Sequence, residues 1–232
     1  MIHPAETQAL KPGALRLAQS EVAIPRLFAY HRALALAAAG GKKVITSIGL
    51  ADLLGHTISS TQIRKDLSAL GPLGRRGQGY AIKPLVDQLA LVLGLERDWR
   101  IAIAGFGFLG HAFATFLSAR EERFKIAAIF DNSPAVIGQR WQGVPVEDVA
   151  LLDESLARVR ANIGVIAVPA EAAQTIADRF AQNGVRALLN FAPVSLRMRQ
   201  PVIIRNIDLA GEMSILTHRL SFTEGYAAGE SL

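Results

Sequence analysis

Residues 101–110 read IAIAGFGFLG, and the reading of that stretch decides the fold of everything after it. An apolar run from Ile101 to Ala104 meets Gly105, Gly107 and Gly110 at GxGxxG spacing and leads into the helical pattern AFATFLSA. The first glycine permits a tight turn, the second lets backbone approach a pyrophosphate, and the third lets helix and strand pack closely. The helix start then turns N–H groups toward phosphate. Asp131 closes the next apolar run, KIAAIFD, 21 residues past Gly110. A carboxylate there can take both hydroxyls of an adenosine ribose and would repel a 2′-phosphate. Gly105, Phe106, Gly107, Phe108, Leu109, Gly110 and Asp131 are therefore the candidate cofactor residues, and NAD(H) is expected rather than NADP(H).

Outward from this point the pattern alternates. IGVIAVP (163–169) and VRALLNFAP (185–193) are short apolar runs without polar alternation, as strands covered on both faces read. Helical stretches separate the runs: GHAFATFLSAREER, VEDVALLDESLARV (146–159) and AEAAQTIADRFAQNG. The expectation is a Rossmann-like parallel sheet. A last segment, DLAGEMSILTHRLSF, aligns Leu209, Met213, Leu216 and Leu220 as one stripe of a terminal helix.

Upstream the chain is different. PRLFAYHRALALAAAG ends at Gly40-Gly41, TSIGLADLLG has Thr46 or Ser47 as its cap, and SSTQIRKDLSALG has Ser59 or Ser60. PLGRRGQGYAI then carries the turn glycines of a hairpin, and KPLVDQLALVLGL predicts a connecting helix. Three short helices and a hairpin are the plan of a winged helix-turn-helix. In the third helix Gln62, Arg64, Lys65 and Ser68 lie off or beside the Ile63/Leu67/Leu70 stripe. Such groups can read base edges and hold phosphates, and Arg75 and Arg76 beside glycines can bring a wing to the backbone or minor groove.

Charge follows the same division. Residues 1–97 hold 12 Lys+Arg against 6 Asp+Glu, and residues 98–232 hold 13 against 14. A basic first part beside a near-neutral second one suits a polyanion partner for the first alone. The chain has no cysteine, so disulfide and thiolate chemistry are excluded. It shows no apolar run of membrane-spanning length and no secretory signal, which makes the cytoplasm the default expectation. Hydride transfer needs a proton donor beside the nicotinamide. Past Gly110 the histidines are His111 and His218, and Lys125 is the only lysine after Lys83. A signal role for the nucleotide fits that inventory better than catalysis. An NAD-dependent oxidoreductase with a basic extension, and an interaction protein dimerised by its last helix, stand as alternatives.

QIRKDLSALGPLGRRGQGY, IAGFGFLG, FDNSP, LNFAP and NIDLAGE together resemble the signature blocks of the Rex family of bacterial redox-sensing repressors, over about Ile24 to Phe222. The resemblance implies a homodimer with a swapped C-terminal helix that binds a palindromic double-stranded operator under NAD+ and releases it under NADH. The weak periodicity of the first residues, the change of pattern along the chain and the resemblance together set the expected division: a flexible tail (1–23), a winged-helix DNA-binding domain (24–97), a Rossmann NAD(H)-binding domain (98–206) and a dimerisation helix with its tail (207–232). The resemblance places Ser59, Ser60, Gln62, Arg64 and Lys65 at DNA, and Arg75, Arg76 and Tyr80 in the wing. It puts Val168, Pro169, Asn190, Phe191 and Ala192 on the nicotinamide side, and makes Arg32 and Asp208 a ligand-sensitive contact between domains. Phe116 stands where the family has a switching Tyr, so that switch is expected to be weaker or wired differently, with Leu209 still able to wedge against a neutral dihydronicotinamide.

Overall fold

A computed structural model describes residues 12–75, 77–120 and 123–229, and the chain falls into two units, one ending at Arg97 and one beginning at Asp98. The first holds α1 (Pro12–Ala18), α2 (Ile24–Ala39), α3 (Ser47–Leu53), α4 (Ser60–Leu70) and α5 (Ile82–Leu93). Strands β1 (Val44–Ile45), β2 (Gly74–Arg75) and β3 (Gly79–Ala81) form an antiparallel sheet in the order β1-β3-β2. Thr46 Oγ1 accepts from the Gly49 N–H to start α3, and Ser59 Oγ accepts from the Gln62 N–H to start α4. Each hydroxyl satisfies one of the donors that a helix start leaves over. Ile63, Leu67 and Leu70 are buried beside Leu27, Tyr30, Leu34 and Leu85 in one core.

The flexible tail expected over 1–23 lies outside the described residues at 1–11 and is corrected at 12–18, which form α1. Its periodicity is too short to register in sequence, but Ala14 is fully buried in the core. A Cβ on Gly13 would lie 2.4 Å from Ala69 O, so that glycine lets α1 press against the backbone of α4.

The second unit is built on a seven-stranded sheet. Its strands are β4 (Trp99–Ala104), β5 (Phe124–Asp131), β6 (Arg140–Trp141), β7 (Val144–Asp148), β8 (Ile163–Ile166), β9 (Ala187–Asn190) and β10 (Ile203–Asn206). The order is β10-β9-β8-β4-β5-β7-β6, parallel throughout except for β6. Helices α6 (Phe108–Arg120), α7 (Leu152–Val159) and α8 (Ala170–Gln182) complete the layers. Side-chain alternation along β4 feeds two cores: Ile101 and Ile103 join Ala114 on one face, and Ala102 and Ala104 join Leu156 and Phe180 on the other. The expected helix over 146–159 is corrected at its start. Val146, Glu147 and Asp148 pair with Ile129, Phe130 and Asp131 as strand, and the helix opens at Leu152 after a 3-10 turn (Val149–Leu151). From β4 the chain winds outward through β5 and β7, then recrosses to β8, which makes the carboxyl end of β4 the switch point where such sheets take ligands. The last helix, α9 (Leu209–Gly229), follows β10.

Candidate dinucleotide cleft and nucleic-acid face

Gly105 sits at that switch point with φ +89°, and a Cβ on it would lie 2.4 Å from Ala167 O. A Cβ on Gly110 would lie 2.0 Å from Gly105 O, so α6 can approach the turn only with glycine there. Gly107 differs: nothing lies within 4 Å of where its Cβ would be. Two glycines are thus required by the protein itself, and the third faces open space, as a pyrophosphate-binding loop requires. The loop opens into a cleft of about 250 Å³, lined by Gly107, Asp131, Asn132, Val149, Pro169 and Ile176 among others. Asp131 is anchored at its mouth, Oδ2 accepting from the Phe106 N–H at 2.6 Å and Oδ1 from the Ser133 N–H at 2.8 Å. A carboxylate offers about four acceptor positions, so both oxygens retain capacity for ribose hydroxyls. These residues fit the adenosine and pyrophosphate of a dinucleotide.

Some expected contacts are placed otherwise. Phe106 buries its ring between His111 and Trp141 and gives its N–H to Asp131, so it positions that carboxylate rather than lining the cleft. Phe108 and Leu109 expose their side chains on the first turn of α6, where backbone N–H groups are the chemistry on offer. Asn190, expected on the nicotinamide side, is fully buried. Its amide donates to Ala192 O, Val194 O and Asn206 Oδ1, and its Oδ1 accepts from the Ala192 N–H. It therefore shapes the turn that carries Phe191 and Ala192, with Ala192 itself buried and Phe191 edge-on to Phe113. Val168 and Pro169 do line the cleft.

In the first unit α3, α4 and the hairpin enclose a concave face of about 720 Å³, lined by Arg64, Ser68, Thr46, Ser47, Gly77 and Tyr80 among others. Arg64 is exposed and donates to Thr61 Oγ1, and Lys65 is exposed beside it. Tyr80 lies over the wing: a Cβ on Gly74 would meet its ring at 2.8 Å. Ser60 stands partly exposed at the first turn of α4. Arg75 lies on β2, and Arg76 falls outside the described residues.

Sequence reading missed what fixes α4. Asp66, only 3% exposed, accepts from Arg26 Nε at 2.9 Å and Nη2 at 3.1 Å, from the Tyr30 hydroxyl at 2.9 Å and from Gln62 Nε2 at 2.7 Å. Burial by itself would raise this carboxyl, but the hydrogen bonds from Arg26, Tyr30 and Gln62 outweigh it and hold the carboxyl below the ordinary range. The Tyr30 hydroxyl is pushed well up by burial and by its bond to Asp66. Gln62 is thereby tethered on its amide nitrogen rather than wholly available to a base. An acidic residue inside a basic helix, four positions after Gln62, was the available signal.

Of the expected interdomain pair, Arg32 is exposed on α2, and Asp208 caps α9, its Oδ1 accepting from the Gly211 N–H at 2.8 Å. Phe116 is 56% exposed on α6. Among the described residues no group of three or more His, Cys, Asp or Glu is placed to hold a metal ion, and no helix is long and apolar enough to cross a membrane.

A winged-helix unit followed by a dinucleotide-type Rossmann unit defines the class: a DNA-binding protein joined to a nucleotide receptor. Two family profiles match it in parts, "Putative DNA-binding protein N-terminus" over residues 20–68 and "CoA binding domain" over 96–194. The redox-sensing transcriptional repressor Rex of Pelotomaculum thermopropionicum is 39% identical over 207 residues, 89% of this chain and 96% of that protein. The Rex-family repressor RSP, in complex with β-NAD+ and operator DNA, superposes with a TM-score of 0.81 at 33% identity, covering 92% of this chain and 98% of RSP. RSP in complex with β-NADH gives 0.76 at 32% identity, covering 90% and 97%. The chain belongs to the Rex family.

Proposed function

We propose that this chain is a transcriptional repressor that reads the NADH/NAD+ ratio as a homodimer, gripping a palindromic operator through its winged-helix units and letting go when NADH binds. The observation that carries the reading is the pairing, in one chain, of a cleft shaped for a dinucleotide with a basic winged helix. The relatives named Rex, and RSP bound to NAD+ with operator DNA and to NADH, support it.

Ser59, Ser60, Gln62, Arg64 and Lys65 face DNA, with Arg75, Arg76 and Tyr80 in the wing. Gly105, Gly107, Gly110 and Asp131 hold adenosine and pyrophosphate, and Val168, Pro169, Phe191 and Ala192 border the nicotinamide. The ring of NAD+ is a cation and that of NADH is neutral, so an apolar border penalises the first through desolvation. A preference of about 100-fold corresponds to about 2.7 kcal/mol, the most that ligand exchange can contribute to a change of state. The family resemblance assigns Arg32 and Asp208 to the switch that follows ligand state, with Phe116 standing in place of the family's Tyr. The nucleotide serves as ligand, not reagent: Asp131, the ionisable group lining the cleft, already accepts two backbone N–H groups. A repressor acting on chromosomal operators works in the cytoplasm.

Dimerisation belongs to α9. Leu209, Met213, Ile215, Leu216, Leu220 and Phe222 are each at least 50% exposed, so within one chain this apolar helix has no cover among the described residues. A second copy supplies it. The test is binding to a duplex selected from random sequence, measured across NADH/NAD+ ratios. The reading expects Arg64→Ala to abolish binding and Asp131→Ala to leave binding that ignores NADH; equal release by both ligand forms would overturn it.

A further inference from the structure

Arg179 lies on α8, one turn past Ile176, and it reaches back across the cleft's far wall. Its Nη1 donates to Val149 O at 2.8 Å and its Nη2 to Ala150 O at 3.2 Å. Its Nε and Nη2 also donate to the Asp153 carboxylate, the shortest contact being 2.8 Å. Val149 and Ile176 both line the cleft beside Asp131. One helix therefore contributes a wall of the cleft and, a turn later, holds the backbone of the opposing wall. The 3-10 turn that carries Val149 is short, and such turns have poorer hydrogen-bond geometry than an α-helix, so an external clamp has work to do there. The guanidinium suits the task because its planar fork serves two carbonyls and a carboxylate at once, which an ammonium group does not. Asn183 adds to the cluster, its amide donating to Asp153 Oδ1 at 2.7 Å and to Arg179 O at 2.9 Å, whereas the carbonyls of Val149 and Ala150 are held by Arg179. The bridge to Asp153 holds that carboxyl below its ordinary range.

We propose that Arg179 is a positioning residue for the nucleotide, setting the gap between Val149 and Ile176 in which the adenine ring is held. The inference rests on the dinucleotide reading of the cleft. Because the adenosine half is common to both redox forms, Arg179 governs how tightly the sensor binds its ligands and not how it tells them apart. Its loss shifts the response to higher total nucleotide while the NADH/NAD+ preference stays fixed.

The experiment titrates NADH, NAD+ and ADP-ribose against the full-length wild type and the Arg179→Ala, Arg179→Lys and Asn183→Ala variants, with thermal unfolding of each. Arg179→Ala is expected to weaken all three ligands by the same factor, about tenfold. Arg179→Lys, which keeps the charge but not the fork, recovers stability more fully than affinity, and it carries the test if the alanine variant does not fold. Asn183→Ala lowers stability and leaves affinity unchanged. Wild-type affinity in the Arg179 variants, or equal weakening by Asn183→Ala, would overturn the proposal. Failure of the wild type itself to bind any of the three ligands would instead overturn the dinucleotide reading.

Discussion

At the scale of residues, Asp66 ties α4 to α2 through a polar contact inside the core that Ile63, Leu67 and Leu70 share. It is a buried carboxylate with four donor contacts from three side chains, two of them on α2. Removing one partner of such a group leaves the others desolvated and unmatched, which typically costs more than the group's net contribution. Asp66→Ala is expected to destabilise the protein by about 3 kcal/mol, read as a lowered urea midpoint. The pH dependence has a definite sign. Since folding lowers the Asp66 pKa, its contribution is complete above the unfolded-state value of about 4 and fades as pH falls through the depressed one. Acid titration of wild type and Asp66→Ala should therefore converge at low pH; a gap that stays constant would contradict the assignment. Asp131 supports a second expectation. NADPH should bind at least about tenfold more weakly than NADH, since its 2′-phosphate would face that carboxylate, and comparable affinities would contradict it.

At the scale of elements, the three glycines of the fingerprint separate by function. Gly107→Ala meets no protein atom, so stability should change by less than about 0.5 kcal/mol while NADH affinity falls about tenfold. Gly110→Ala drives a methyl into Gly105 O and should disturb the joint of β4 and α6, lowering stability as well. Calorimetry beside a binding titration distinguishes the two. The legibility of the sequence follows similar lines. β4, β5, β8 and β9 could be read because strands buried on both faces carry unbroken apolar runs, and α4 because Ser59 and the Ile63/Leu67/Leu70 stripe mark its start and face. α1 was illegible because seven residues hardly show a period, and its order comes from docking Ala14 and Gly13 onto other elements. VPVED reads as part of the helix behind it because Glu147 and Asp148 look helical locally, and only pairing with β5 makes them strand. In the cleft, Gly105, Gly107, Gly110 and Asp131 were legible from spacing. The inward turns of Phe106 and Asn190 were not, since which face a loop residue presents depends on tertiary packing.

At the scale of the whole molecule, α9 ties the account together. A helix that leaves six large apolar side chains half exposed or more is unstable alone and calls for a partner surface. Met213→Lys with Leu216→Lys should convert the dimer to monomer in sedimentation and, by removing one of two paired grips, cost most of the operator affinity. Dimer retention would mean that another surface joins the copies. The central claim is that the charge of the nicotinamide ring sets the distance between two DNA-gripping units. The native chain has no cysteine, so one introduced at the exposed Leu36 of α2 gives each protomer a single spin label. The label-to-label distance in the dimer is then measured with NAD+ and with NADH at saturation. The account predicts two distinct distances, with NADH giving the spacing that an operator duplex does not capture; the same distance with both ligands would contradict it.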